Sequence, residues 1–223
     1  MAKAVIFDFD GVLADTREAG IAAYKQALAE AGYAITKDEI RRFWGQGPFL
    51  LIKRFFDYKG LNKSASVIER IAKRKTLIQA RMAGRNKLTP GARPLLRALR
   101  KTGMRIGLAT SNRLALVKAF LRHYGLTAFF DAVTTTEAGD RPKPSPDLLL
   151  RTARRLGAKP SACTVIEDSA IGIKAARNAG MCVIGVATGF EPRVKLARAG
   201  ADLLVRGLGE RKKILRFLST ESL

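Results

Sequence analysis

Apolar and polar positions along the chain follow two regimes. At residues 4–7, and again from residue 105 onward, short unbroken apolar runs alternate with stretches of helical spacing. The later runs fall at 105–110, 131–134, 162–166 and 182–186, and helical segments at 92–102, 113–124, 145–156 and 168–179 separate them. Short continuous apolar runs between helices are the pattern of strands buried on both faces, so a parallel sheet covered by helices on both sides is expected. ADLLV (201–205) adds one more strand, and the tail from Gly209 reads as a closing helix.

Between Ala19 and about Ala83 no strand-like run occurs. The stretches REAGIAAYKQALAEAG, KDEIRRFWG, PFLLIKRFFDYKG and SASVIERIAKRKTLIQARMAG are helical in spacing, and Gly32, Gly45, Gly47-Pro48, Gly60 and Gly84 punctuate them. The expected architecture is therefore α/β: a doubly wound parallel sheet, Rossmann-like, from residues 1–15 and 88–223, with an all-helical cap inserted at 16–87. A cap on two short linkers can close over a site and exclude water.

Candidate chemistry lies at the ends of the apolar runs. The first ends in Asp8-Phe9-Asp10-Gly11. Alternation along a strand puts Asp8 and Asp10 on one side. Two carboxylates so close are costly unless a cation or hydrogen bonds compensate them. The run at 105–110 ends in Thr110-Ser111-Asn112, RPKPSPD (141–147) sets Lys143 between two prolines, and the run at 162–166 leads into Glu167-Asp168. In an open parallel sheet the carboxyl ends of the strands gather along one edge, where ligands bind.

In order and spacing these four segments resemble the motifs of the haloacid dehalogenase-like hydrolase superfamily, over residues 3 to about 205. Caps inserted after the first strand define a subgroup containing phosphoglycolate phosphatase, β-phosphoglucomutase and sugar phosphatases. The resemblance implies a Mg²⁺-dependent phosphatase acting on a small phosphorylated metabolite through an aspartyl-phosphate. Asp8 would be the nucleophile and Asp10 the general acid and base. Thr110 and Lys143 would stabilise the phosphoryl group. Mg²⁺ would be held by Asp8, the backbone carbonyl of Asp10 and Asp168, with Glu167 either a further ligand or a support behind them. Gly11, Thr16, Ser111, Asn112 and, in the cap loop Trp44-Gly45-Gln46-Gly47-Pro48, Gly45 and Gly47 are the expected substrate contacts. Asn112 could equally cap the following helix, and Ser169 the helix after Asp168.

Asp10 separates the chain from the dehalogenase and phosphonatase branches, which lack the second aspartate. The β-phosphoglucomutase family carries a histidine four residues after the threonine that Thr16 matches. Here Gly20 stands there, which favours hydrolysis over phosphomutase activity. Lys53 reads as a cap-surface or substrate-charge residue.

Composition changes this picture in one respect. Lys and Arg number 41 against 19 Asp and Glu, a formal net charge of +22. Such a field attracts anions and admits a second alternative, a phosphatase acting on nucleic-acid ends. No zinc-finger or RNP-like motif supports that alternative, and the bases sit at helical spacing opposite apolar positions, as solvated faces do. No apolar stretch reaches the ~18 residues of a membrane span, and the acidic start is unlike a signal peptide. A cytoplasmic monomer or homodimer is expected. Cys163 and Cys182 read as buried thiols of a reducing compartment, and the lone His123 as a surface or packing residue.

Overall fold

The computed structural model describes residues 3–136 and 141–220. The chain runs through β1 (Ala4–Phe7), β2 (Ala14–Asp15), α1 (Arg17–Ala29), α2 (Lys37–Arg42), α3 (Pro48–Tyr58), α4 (Ala65–Arg81) and β3 (Lys87–Leu88). It continues through α5 (Ala92–Lys101), β4 (Arg105–Thr110), α6 (Leu114–His123), β5 (Ala132–Thr135), α7 (Asp147–Arg155), β6 (Cys163–Glu167) and α8 (Ala170–Asn178). It closes with β7 (Cys182–Val186), α9 (Arg193–Arg198), β8 (Leu203–Val205) and α10 (Arg211–Thr220).

Six strands form one parallel sheet in the order β5-β4-β1-β6-β7-β8. The central strand, β1, pairs Phe7 with Leu108 on one side and with Ile166 on the other. The chain winds outward first to β4 and β5, then to β6, β7 and β8, so the order reverses at β1. That is where ligands settle in doubly wound sheets.

Every residue of β1 is buried, and its alternation splits the core. Val5 and Phe7 join an apolar cluster with α5, α6 and α10, while Ala4 and Ile6 join another with α7, α8 and α9. A third cluster, including Leu28, Ile40, Ile52, Phe55 and Ile71, lies wholly within α1–α4 and the segments that join them. The inserted helices thus have an apolar interior of their own.

Their ends follow local rules. Thr36 and Glu39 form a reciprocal capping box at α2, Pro48 opens α3, and Ser64 accepts from Val67 N at α4.

Two details depart from the sequence-based expectation. The insertion begins and returns through an antiparallel ribbon, with Ala14 opposite Leu88 and Asp15 opposite Lys87. Two residues per strand are too few to show a period. The expected helices at 168–179 and 145–156 start at 170 and 147 instead. Ser169 caps the first, leaving Glu167 as the last residue of β6 and Asp168 outside both elements.

Candidate active site

The carboxyl ends of β1, β4 and β6 bring the sequence candidates together. Lys143, 7% exposed, sits between two carboxylates: its Nζ donates to Asp8 Oδ1 at 2.8 Å and to Glu167 Oε2 at 2.7 Å. The other oxygen of Glu167 accepts from the backbone N of Asp168 and of Ser169 and from Ser169 Oγ, at 2.9–3.1 Å. Glu167 is therefore engaged on both oxygens, by the lysine and by the start of α8. Asp8 continues the sheet through its N–H to the Ile166 carbonyl, 2.9 Å.

Asp10 is held separately. Thr16 Oγ1 donates to its Oδ1 and Asn112 Nδ2 to its Oδ2. Asn112 is in turn fixed by Thr110, whose Oγ1 accepts from Asn112 N at 3.0 Å. The structure thus turns Thr16 and Asn112, expected as substrate contacts, toward Asp10. Arg113, not Asn112, occupies the cap position of α6.

Glycines let backbone approach these carboxylates. A Cβ on Gly11 would lie 1.9 Å from Asp168 Oδ2, one on Gly189 2.0 Å from the same atom, and one on Gly172 1.9 Å from Glu167 Oε2. Gly11 also has φ +73°, a conformation other residues rarely adopt. Gly172 and Gly189 carried no signal in the sequence, because only the fold shows what lies against them.

Burial raises the pKa of Asp8 to about 8; the Glu167 and Asp10 charges act in the same direction and Lys143 opposes them. Burial and the neighbouring Glu167 and Asp8 charges push Asp168 well above the usual carboxylate range. Burial alone would lower Lys143, but the Asp8 and Glu167 charges more than offset it and hold the ammonium protonated. Burial would likewise raise Glu167, yet Lys143 keeps it below its ordinary value.

Lys143 thus serves two carboxylates, Asp8 and Glu167, while the charges of Asp168 and Asp10 stand close by. Oxygens of Asp8, Glu167 and Asp168 lie within 4.8 Å of one another. This donor set is all oxygen, buried and short of positive charge, which fits a hard divalent cation.

The inserted helices cover this edge. A Cβ on Gly47 would lie 2.6 Å from the Ser111 carbonyl oxygen, so the cap loop rests on the end of β4. Trp44 packs edge-on to Phe190 of the loop after β7, ring centroids 5.2 Å apart, and Arg41 lies over the same ring at 5.3 Å. A Cβ on Gly20 would meet Trp44 at 2.6 Å, so the indole fills the space a side chain at Gly20 would take. Gly45 and Lys53 stand apart from this contact. An added side chain at Gly45 would enter open space, and Lys53 is exposed and paired with Asp57 at 2.7 Å.

Sequence reasoning missed Lys75. It is 3% exposed in α4, its Nζ on Gln79 Oε1 and 4.3 Å from the Tyr24 ring centroid. Gln79 Nε2 donates onward to Asn86 Oδ1 at 3.0 Å, beside the return strand β3. The signal was present: Lys75 falls three, four and seven residues after Ala72, Ile71 and Ile68, on the apolar stripe of its helix. Burial lowers its pKa to about 8, with the Asp10 charge acting against the shift.

A lysine depressed from 10.5 to about 8 costs the fold fully below pH 8 and nothing above 10.5. Between those values the unfolded chain binds more protons, so stability rises with pH. Wild type should gain up to about 3 kcal/mol relative to Lys75→Met across this window. Denaturant unfolding of both proteins at pH 7.5 and 10.5 checks it; parallel pH profiles would refute the buried cation.

Fold and site together define an α/β enzyme whose acidic centre lies at the strand ends of a doubly wound sheet, beneath a helical cap. The model of the haloacid dehalogenase-like hydrolases matches residues 5–186, and the chain belongs to that family. It is 32% identical over 209 residues to the β-phosphoglucomutase of Bacillus subtilis, covering 92% of this chain and 89% of that one. It is 31% identical over 200 residues to the phosphoglycolate phosphatase of Agrobacterium fabrum, covering 88% and 86%. A hydrolase from Pseudomonas syringae superposes with a TM-score of 0.87 at 27% identity, over 97% of this chain and 99% of that one.

Proposed function

We propose that the protein is a Mg²⁺-dependent phosphatase that hydrolyses a small phosphorylated metabolite through an aspartyl-phosphate. The observation that carries this reading is the division of labour between two aspartates two residues apart. Asp8 faces the Lys143 ammonium, whereas Asp10 is clamped on both oxygens by Thr16 and Asn112.

In this reading an Asp8 oxygen attacks the phosphorus and the ester P–O bond breaks as the P–O bond to Asp8 forms. Asp10 passes a proton to the departing alkoxide. Water then attacks the acyl-phosphate, Asp10 takes its proton, and Asp8 and inorganic phosphate are regenerated. Lys143 stabilises negative charge on the transferring oxygens, and the Thr110–Ser111 turn offers its hydroxyl and amides to them. Mg²⁺, held by Asp8, the Asp10 carbonyl and Asp168, would neutralise repulsion between the nucleophile and a dianionic phosphate. Glu167 supports Lys143 and Asp168 from behind.

A cavity of about 920 Å³ opens between cap and sheet, with Arg41 and Arg42 on one side and Lys174 on the other, where Lys195 is paired with Glu191 at 2.6 Å. Its basic rim supports a substrate with an anionic or strongly polar group beyond the phosphate. Gly20 has no side chain, and the indole of Trp44 fills the space that a side chain there would take, which favours hydrolysis over the phosphomutase alternative.

The test is phosphate release from p-nitrophenyl phosphate, a panel of sugar phosphates and phosphoglycolate, and a 5′-phosphorylated oligonucleotide, with Mg²⁺ or with EDTA. Mg²⁺-dependent turnover of a small ester supports the proposal. Turnover of the oligonucleotide alone, or turnover in EDTA, overturns it.

Metal binding should also show in stability. The Asp8 pKa, raised from 3.8 to about 8, means that the folded metal-free protein binds more protons than the unfolded chain across that interval. The contribution of this group to stability therefore falls as pH rises through it. Mg²⁺ competes with those protons, so the rise in Tm on adding it should be larger at pH 8.5 than at pH 6. Differential scanning calorimetry checks this, and an equal rise at both pH values would exclude Asp8 as a ligand.

A further inference from the structure

The net charge of +22 is laid unevenly along the chain. From Arg70 to Phe130 there are fifteen Lys and Arg and not one Asp or Glu. Elsewhere an acidic side chain answers a base, as Asp15 does Arg17, Asp57 Lys53, Glu191 Lys195 and Asp202 Arg177. Helix α5 lies wholly within the acid-free stretch, and α10, which packs against it, has no acidic residue either. The two helices cover the same face of the sheet: Leu95, Leu96 and Leu99 of α5 and Ile214 and Leu218 of α10 are buried in one apolar cluster.

The outer sides of both helices carry bases. Arg97 and Lys101 stand four residues apart on α5, and Lys212 and Arg216 four apart on α10, so each helix presents an exposed basic stripe opposite its apolar one. None of the four has a hydrogen bond, ion pair or ring contact among the described residues. Arg100 and Lys213, by contrast, are engaged, by Asp131 at 2.8 Å and by the Leu204 carbonyl at 3.1 Å. Glu210, just before α10, accepts from the backbone N of Arg206. Like charges massed on one surface repel one another and cost stability, and on these stripes no side chain of opposite sign offsets them.

The face is as selective in what it lacks. No large apolar side chain is exposed on either helix, and Phe217 of α10 is packed against the apolar cluster. Membranes and protein partners are held through apolar anchors as well as charge, and single strands through bases stacked on exposed rings. A duplex backbone needs neither, since it presents about one phosphate per 1.7 Å of axis to Lys and Arg. We propose that the outer face of α5 and α10 is a docking surface for double-stranded nucleic acid, gripped by its phosphates without regard to sequence. It is a surface for attachment, not turnover: the helices cover a face of the sheet, whereas the acidic centre lies at the strand ends. The docking surface therefore stands or falls independently of the phosphatase reading.

The experiment is fluorescence anisotropy of a labelled DNA duplex of about 20 base pairs with 5′-hydroxyl ends, titrated with the whole chain in NaCl from about 50 to 200 mM. Four phosphate contacts predict a log–log slope of affinity against salt of about −3.6 or steeper. In Arg97→Gln/Lys101→Gln/Lys212→Gln/Arg216→Gln the affinity should weaken at least tenfold, and the slope should flatten by about one per base lost. The same charge removed from the cap, in Lys25→Gln/Lys37→Gln/Arg54→Gln/Arg70→Gln, should leave affinity within about twofold, because charges beyond ~10 Å are screened at 0.1 M salt. Lys101→Gln/Arg216→Gln should weaken binding partially and guards against a misfolded quadruple variant. Four results would overturn the proposal: no saturable binding at the lowest salt, equal weakening in both quadruple variants, tighter binding to a single strand of the same length, or binding to phosphatidylserine vesicles with none to the duplex. The second would assign the attraction to the field of the whole chain, and the last would make the surface a membrane contact.

Discussion

Asp8→Asn is expected to lower phosphate release from every ester by at least about 10⁴-fold, the scale seen when a covalent nucleophile is removed. The amide is a poor nucleophile, and Asp10, clamped by Thr16 and Asn112, is not placed to replace it. The same change should leave the metal-free protein as stable as wild type or more stable at pH 8. It removes one charge that burial disfavours, and Lys143 keeps Glu167 as its partner at 2.7 Å. Steady-state kinetics and thermal unfolding measure the two effects. Residual turnover within tenfold of wild type would place the nucleophile elsewhere.

Lys143→Met should fail differently. Removing the ammonium leaves Asp8 and Glu167 facing each other in a buried site, a situation that costs about 3–5 kcal/mol when one partner of a buried ion pair is lost. Both carboxylates would then titrate higher. The folded variant would bind more protons than its unfolded chain over the mid-pH range, and its stability would fall as pH rises. The deficit relative to wild type should therefore be largest near pH 8 and shrink toward pH 5, and turnover should fall about 10³-fold through loss of charge at the phosphoryl group. Urea unfolding at the two pH values separates this from a packing defect, which would give the same deficit at both.

Much of this centre was legible in the chain, because a parallel sheet forces strand ends onto one edge. The strand positions, the helical insertion and the convergence of Asp8, Asp10, Thr110, Glu167 and Asp168 follow from apolar runs and their terminal residues, whereas Lys143 lies in the loop before α7 and was marked only by the resemblance of its segment to the family's motifs. What was not legible depends on paths through space. Asn112 meets Asp10 across 102 residues of sequence, and Trp44 reaches Phe190 only because both elements fold toward one rim. Lys75 was hidden by the default reading of a lysine-rich helix as a solvated face, although its place on the apolar stripe marked it. Gly172 and Gly189 gain meaning only from the carboxylates packed against them.

The separate apolar interior of α1–α4 has a consequence for how such a protein can change. No residue of that interior belongs to either cluster that holds the sheet. Substitutions within that interior can thus repack the inserted helices without repacking either cluster that packs on the sheet. Selection can revise recognition and inherit reactivity intact, and a whole set of helices could be exchanged between relatives as one heritable part.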